Sequence, residues 1–177
     1  GHVGMDQLPL DYFAHWSGIV QPMICTGIFD LLGLVGITDP FLLTLALRLL
    51  TAALALRVTA GFTRSVLPKI SPRHARSFTL LSWFLWFLPV LQVRFTGEAW
   101  SGLLFLQGLS LLLDQRDRSP FAIGAWFGAA VVFRPATALL PLGALLWMHF
   151  EQRASRSAIL KVITGGAIVI ALGIVVD

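Results

Sequence analysis

The chain reads as an all-α membrane protein, a polytopic bundle of about six transmembrane helices with one further juxtamembrane helix on the outer surface. Composition is the first reason: 56% of its 177 residues are hydrophobic and 12% are charged, against roughly 25% charged in an ordinary soluble domain. Mean hydropathy is +0.81. The second reason is segment length. Several apolar windows approach the roughly 17–25 residues that cross a hydrocarbon core of about 30 Å. The third is the placing of charge, which collects in short gaps between apolar stretches. Ten-residue segments alternating apolar and polar, the mark of an outer-membrane barrel, are not seen in the sequence.

Taken in order, the apolar segments run at about 17–37, 40–62, 77–93, 98–113, 120–133, 135–150 and 159–176. Between them lie the gaps Thr63–Arg76, Asp114–Ser119 and Glu151–Ser157. Arg64, Lys69, Arg73, Arg76, Arg116, Arg118, Arg153, Arg156 and Lys161 sit in or beside these gaps, with Arg57 close by. Lys and Arg in short loops favour the cytoplasmic side. With the three gaps inside, the segments from 40–62 onward alternate inward and outward, and Asp39, Arg94, Glu98, Arg134 and Asp177 fall outside.

The segment 17–37 admits two placements. As a crossing it would put Asp6, Asp11 and His15 in the cytoplasm; lying in the interface, it leaves them on the outer face. Pro22, Gln21, Asp30, Gly27, Gly33 and Gly36 weaken a spanning helix and favour the interfacial placement. The expected organisation is an extracytoplasmic stretch with a juxtamembrane helix at 1–38 and transmembrane helices at 39–177. The polar start without Met and the stop at Asp177 read as the cut ends of a longer chain.

A net charge of +4 and a pI near 10.2 invite a nucleic-acid reading, but membrane topology accounts for the basic loops. Cys25 is the single cysteine, which excludes an internal disulfide, and its apolar neighbours mark a buried packing residue. Gly124 and Gly128 form a GxxxG suited to close helix packing within one chain. Trp16 and Trp100 fit an interfacial aromatic belt. Gly-rich nucleotide loop, GxSxG and HExxH are all missing from the sequence, and neither a metal site nor a cofactor is expected.

The candidate functional residues are the charges on the outer side. Arg presents a planar fork that matches phosphate oxygens, so Arg94 and Arg134 together could hold an anionic lipid phosphate. The bland alternative is that each anchors a helix end or pairs with Glu98 or Asp177. Glu98 is placed to take a proton from an acceptor hydroxyl, or else to orient Arg94. Arg48, a third of the way into 40–62, is costly unless it faces protein or a watery cavity. His15 reads as a surface histidine before it reads as a base.

The run Trp86–Gly102, with Arg94-Phe95-Thr96-Gly97-Glu98 at its centre, resembles the Arg-Phe-Ser-Ser-Glu region of bacterial Alg9-type mannosyltransferases, glycosyltransferase family 22 of the GT-C class. Leu8-Pro9-Leu10-Asp11-Tyr12-Phe13 through Gln21-Pro22 is similar to that family's stretch in the first extracytoplasmic loop. Pro40-Phe41 through Leu47-Arg48-Leu49-Leu50 is similar to the opening of its second transmembrane helix. Phe133-Arg134-Pro135 matches a Phe-Arg turn after a Gly-rich helix, and Asp177 is similar to an Asp that opens the next loop.

The resemblance implies a GT-C fold and an inverting, metal-independent hexosyltransferase. Its donor would be a polyprenyl-phosphate sugar (mannose by family), and its acceptor a membrane lipid-linked species or a glycan. The active site would face the periplasm or cell exterior of a bacterial inner membrane. Arg94, Glu98 and Arg134, supported by Arg48, would border the lipid-phosphate site. The departures are equally specific: Gly97 stands for a Ser, Trp16-Ser17-Gly18 replaces an Arg-Pro, and Gly1–Gln7 lacks the His-Pro-Asp-Glu-like motif carrying the catalytic Asp. That Asp is expected upstream and further crossings downstream, leaving this piece inactive alone. The rival readings are another GT-C transferase, a structural membrane subunit, and a polytopic transporter or lipid flippase. The last expects inverted repeats and midplane charges, and neither is visible in the sequence.

Overall fold

The computed structural model describes residues 20–84, 94–114 and 119–176. The expectations for Asp6, Asp11, His15, Trp16, Arg116, Arg118 and Asp177, and for 85–93 of the third apolar segment, lie outside the described residues. Seven α-helices account for nearly all of the described residues: α1 (Val20–Leu34), α2 (Pro40–Val66), α3 (Pro72–Phe84), α4 (Gly97–Leu113), α5 (Pro120–Phe133), α6 (Leu139–Phe150) and α7 (Arg156–Val176). Short 3₁₀ turns at Leu67–Lys69 and Pro135–Ala138 follow α2 and α5.

Local chemistry sets the boundaries. Gly36, with φ +83°, closes α1: its N–H donates to Gly33 O at 2.9 Å and that of Ile37 to Leu32 O at 3.0 Å. That is the pattern in which only a residue tolerant of positive φ ends a helix cheaply. Three residues on, Asp39 caps α2 by accepting from Phe41 N at 2.7 Å, and Pro40 occupies the first helical position, where its missing N–H costs nothing. Pro120 starts α5 in the same way.

Helix direction follows from the contacts. Trp100 of α4 meets Thr51 of α2, and Leu103 of α4 packs with Ala55 and Val58, so α2 and α4 run parallel. Phe105 stacks on Phe127 while Ser101 reaches Ala130 O, so α4 and α5 run antiparallel. Gly124 faces Val162, Gly128 faces Gly166 and Gly173 faces Val132, so α5 and α7 run parallel. These directions match the alternation that the charges imply. Arg64, Lys69, Arg73, Arg76, Arg153, Arg156 and Lys161 gather at one end of the bundle, and Glu98 and Arg134 lie at the other, called the rim here.

The most extensive helix contact is between α5 and α7, and glycine makes it possible. A Cβ on Gly128 would lie 2.5 Å from Gly166 O, and one on Gly124 or Gly165 would collide with Val162 O or Phe121 O. In lipid, helices gain nothing from hiding apolar surface, so close backbone approach through small residues supplies the adhesion. The GxxxG therefore packs within the chain, as expected. Around this seam Ile123, Phe127, Ala144, Met148 and Val162 form one core, and Ala55, Val58 and Leu103 a second. Leu42, Leu49, Leu56, Phe84, Leu139, Phe150, Leu160, Leu172 and Val175 are exposed, a pattern that suits hydrocarbon and not water.

Pro40–Lys69 and Arg156–Val175 are long and apolar enough to cross a membrane, while α1, α4, α5 and Pro135–Phe150 are apolar but shorter. Thr51 lies eleven residues into α2 yet level with Trp100, three residues into α4. At about 1.5 Å per residue, α2 overhangs the rim end of α4 by roughly 12 Å. Cys25, expected to be buried, is half-exposed on α1, which has no fully buried residue.

Replacing Gly124 or Gly128 by Val is expected to destabilise the bundle by about 1–3 kcal/mol or more through overpacking. Gly27→Ala on open α1, where nothing lies within 4 Å of the added methyl, should instead stabilise by up to about 1 kcal/mol. Unfolding midpoints of the purified variants in one detergent check both.

Candidate functional site at the rim of the bundle

Three segments distant in sequence converge at the rim: the start of α1, the loop leading into α4, and the turn after α5. Thr96 is extended (φ −129°, ψ 154°) and caps α4, its hydroxyl accepting from Ala99 N at 3.2 Å. Glu98 then falls in the first turn of α4, where the exposed N–H groups of a helix favour a carboxylate. On the other side Pro135 disfavours helical backbone for the residue before it. Arg134 is accordingly extended (φ −154°, ψ 105°), and α5 stops there.

The consequence is an ion pair between Arg134 Nη1 and Glu98 Oε1, joining α4 to the end of α5. Both side chains are substantially exposed, at 44% and 66%, so the pair stabilises little. Its effect is geometric, because a guanidinium held at one nitrogen still has N–H donors left for a second anion. Arg94 is exposed two residues before Thr96, and its carbonyl accepts from Thr96 N at 3.0 Å. Its side chain makes no ion pair among the described residues. The structure thus brings Arg134 and Glu98 into contact and places Arg94 in the same short loop.

Arg48 is not in contact with the pair. It is exposed on α2 one turn rimward of buried Thr51, level with the first residues of α4. Because α2 overhangs α4, Arg48 lies at the rim end of the bundle although it is eight residues into its own helix.

Trp100 organises the floor of the site. Its ring stacks on Phe133 (centroids 5.5 Å, 18°), meets Phe95 edge-on at 5.3 Å, and its Nε1–H donates to Thr51 Oγ1 at 3.1 Å. One side chain therefore joins α2, the Arg94–Thr96 loop and the end of α5. Trp100, expected in an interfacial belt, is half-buried at the rim and packs against Phe133 and Phe95 within the protein. Gln21 at the start of α1 donates to Phe95 O at 3.4 Å. Gly97 leaves room for it: a Cβ there would lie 3.1 Å from Gln21 Oε1 and 3.3 Å from Phe133 O. An apolar cleft of about 440 Å³ beside this junction is lined by Met23, Ile24, Val132, Phe133, Val169 and Leu172, among others.

Two hydroxyls complete the turn. Ser101 Oγ, wholly buried, donates to Ala130 O at 2.8 Å and lies 3.0 Å from Thr137 Oγ1. Thr137 Oγ1 is 2.6 Å from Arg134 O and 3.1 Å from Ala130 O.

Over residues 8–177 the chain matches the model of the Alg9-like mannosyltransferase family. It belongs to that family. No curated protein and no solved structure gives a significant match. As a member of the Alg9-like mannosyltransferase family, the chain is a glycosyltransferase, and its apolar helices fit a membrane enzyme. The segments that converge at the rim all fall within the matched region.

Sequence reasoning did not select Ser101, Thr137 or the linking role of Trp100. The available signal was spacing: Glu98 and Ser101, three apart, share one helical face. Trp100→Ala is expected to cost of order 3 kcal/mol through lost packing. Glu98→Gln should cost less than about 1 kcal/mol, as an exposed pair does. Comparing the two unfolding midpoints separates the packed floor from the charged surface.

Proposed function

We propose that this chain builds the donor-phosphate side of an enzyme that moves mannose from polyprenyl-phosphate mannose to a lipid-linked or glycan acceptor. The rim would face the extracytoplasmic side of a membrane that the bundle crosses six times, with α1 lying along the outer surface. The observation that carries this reading is the contact between Arg134 and Glu98, with exposed Arg94 in the adjoining loop.

The chemistry follows from charge. Attack by an acceptor hydroxyl on the anomeric carbon breaks the bond from that carbon to the phosphate oxygen. The departing polyprenyl phosphate then gains one negative charge. Arginine donors aimed at its oxygens interact more strongly as that charge builds, so they lower the barrier and not merely the ground state. Arg134 is the leading candidate, held from behind by Glu98; Arg94 adds positive charge beside it, and Arg48 supports from the overhang of α2. Glu98 is a poor general base while ion-paired at a helix N-terminus, conditions that keep a carboxylate ionised and weakly basic. Its proposed role is to orient the guanidinium. The proton of the acceptor hydroxyl would pass to the Asp that the family resemblance puts upstream.

The test uses the full-length enzyme, purified and folded, with radiolabelled mannose transfer from polyprenyl-phosphate mannose to membrane lipids as the readout. Wild type should transfer. Arg134→Ala should lose at least about a hundredfold, as for removal of one oxyanion-stabilising donor, and chiefly in kcat. Glu98→Gln should lose about tenfold. A folded wild-type enzyme that uses no polyprenyl-phosphate sugar would sink the proposal. Orientation is checked separately on a Cys25→Ala background: a cysteine at Asp39 should label from the outside, and one at Arg153 only after permeabilisation.

A further inference from the structure

We propose that Ser101 and Thr137 are positioning residues for Arg134, and that the hydroxyl pair exists to aim its guanidinium. This rests on the reading of Arg134 as the phosphate-side arginine.

A helix leaves its last carbonyls without internal partners. At the end of α5, Ala130 O and the carbonyl of the cap residue, Arg134 O, flank the segment whose direction decides where the Arg134 side chain points. Arg134 N donates to Ala130 O at 3.2 Å, and Thr137 N donates to Arg134 O at 3.0 Å. Backbone bonds therefore already hold the turn. The side chains add a second layer: Ser101 Oγ–H on Ala130 O, and Thr137 Oγ–H on Arg134 O. The 3.0 Å contact ties the layer together through the single Ser101 proton, which is shared between Ala130 O and Thr137 Oγ1, while Thr137 accepts there and donates to Arg134 O.

What distinguishes this arrangement from an ordinary cap is where Ser101 comes from. It stands one turn after Glu98 on the same face of α4. A single helix face thus grips Arg134 twice, through the carboxylate on its side chain and through the hydroxyl on the turn that carries it. Sliding or rotation of α5 against α4 would break both contacts at once. Ser101 is also completely buried, and burying a hydroxyl in an apolar core is unfavourable unless it is bonded. An alanine would pack there without that constraint, and the direction of the Arg134 turn would then depend on the backbone bonds alone.

The experiment measures kcat and both KM values of full-length wild type, Ser101→Ala, Thr137→Val, Thr137→Ser, Arg134→Ala and the Arg134→Ala/Thr137→Val double variant, each normalised to folded enzyme. Thr137→Val should lower kcat about tenfold with the acceptor KM unchanged, and Thr137→Ser should restore it. In the Arg134→Ala background the same Thr137→Val change should have no further effect, because there is no guanidinium left to aim. Ser101→Ala should move kcat in the same direction, which keeps the test open if Thr137→Val does not fold. A Thr137→Val loss that multiplies with Arg134→Ala would overturn the proposal, as that is the mark of a cap that only stabilises. So would wild-type kcat in Thr137→Val and Ser101→Ala while Arg134→Ala is inactive, and in that case the phosphate-side reading would stand. Full activity of Arg134→Ala would remove both.

Discussion

Backbone contact between α5 and α7 is the constraint on which the rest of the bundle depends. In hydrocarbon the attraction between two helices comes from dispersion and from the lipid they displace, both of which require closeness. Gly124, Gly128, Gly165 and Gly166 provide it, since a methyl at any of the four would meet the backbone of the other helix. With one flank of α5 held against α7 and another packed on α4 through Phe105, Phe127 and Ser101, its axis has little freedom. The rimward end of α5 then has one place to go, and Arg134 goes with it.

The rim uses that rigidity to hold groups that contribute little stability themselves. An exposed ion pair is worth about 1 kcal/mol or less. Arg134 and Glu98 are therefore kept in register by what lies beneath them: the Trp100–Phe133 stack, the Trp100–Thr51 hydrogen bond and the Ser101–Thr137 hydroxyls. The interior carries its own polar cost in one place. Thr59 Oγ1 is buried without a partner on the face of α2 that also carries Thr51 and Thr63, which return their protons to the carbonyls four residues back.

The separation of charge between the two ends connects fold to membrane. Most of the described basic residues collect at the end opposite Glu98 and Arg134, while Arg94 lies with those two at the rim. The overhang of α2 extends protein beyond the start of α4 on the rim side, which is where a water-facing site beside lipid would need a wall. Family membership makes the chain a glycosyltransferase, and the apolar helices fit a membrane enzyme.

Helix content, approximate boundaries and the relative directions of α2, α4, α5 and α7 were legible in the residues alone. Hydropathy and the placement of Lys and Arg act locally and need no knowledge of neighbours. The helix ends at Asp39-Pro40, Ser119-Pro120 and Arg134-Pro135 are local as well, since each proline constrains its own backbone and that of the residue before it. Glu98 and Arg134 could be named as rim charges and their pairing kept as one possibility. What only the tertiary structure decided was partnership: that Arg134 meets Glu98, that Trp100 joins Thr51, Phe95 and Phe133, and that Arg48 stands at the rim end of the bundle. These depend on the rotation and offset of α2, α4 and α5 about one another. Those offsets come from the summed packing of glycines and aromatic rings some thirty to fifty residues apart, which no local pattern records.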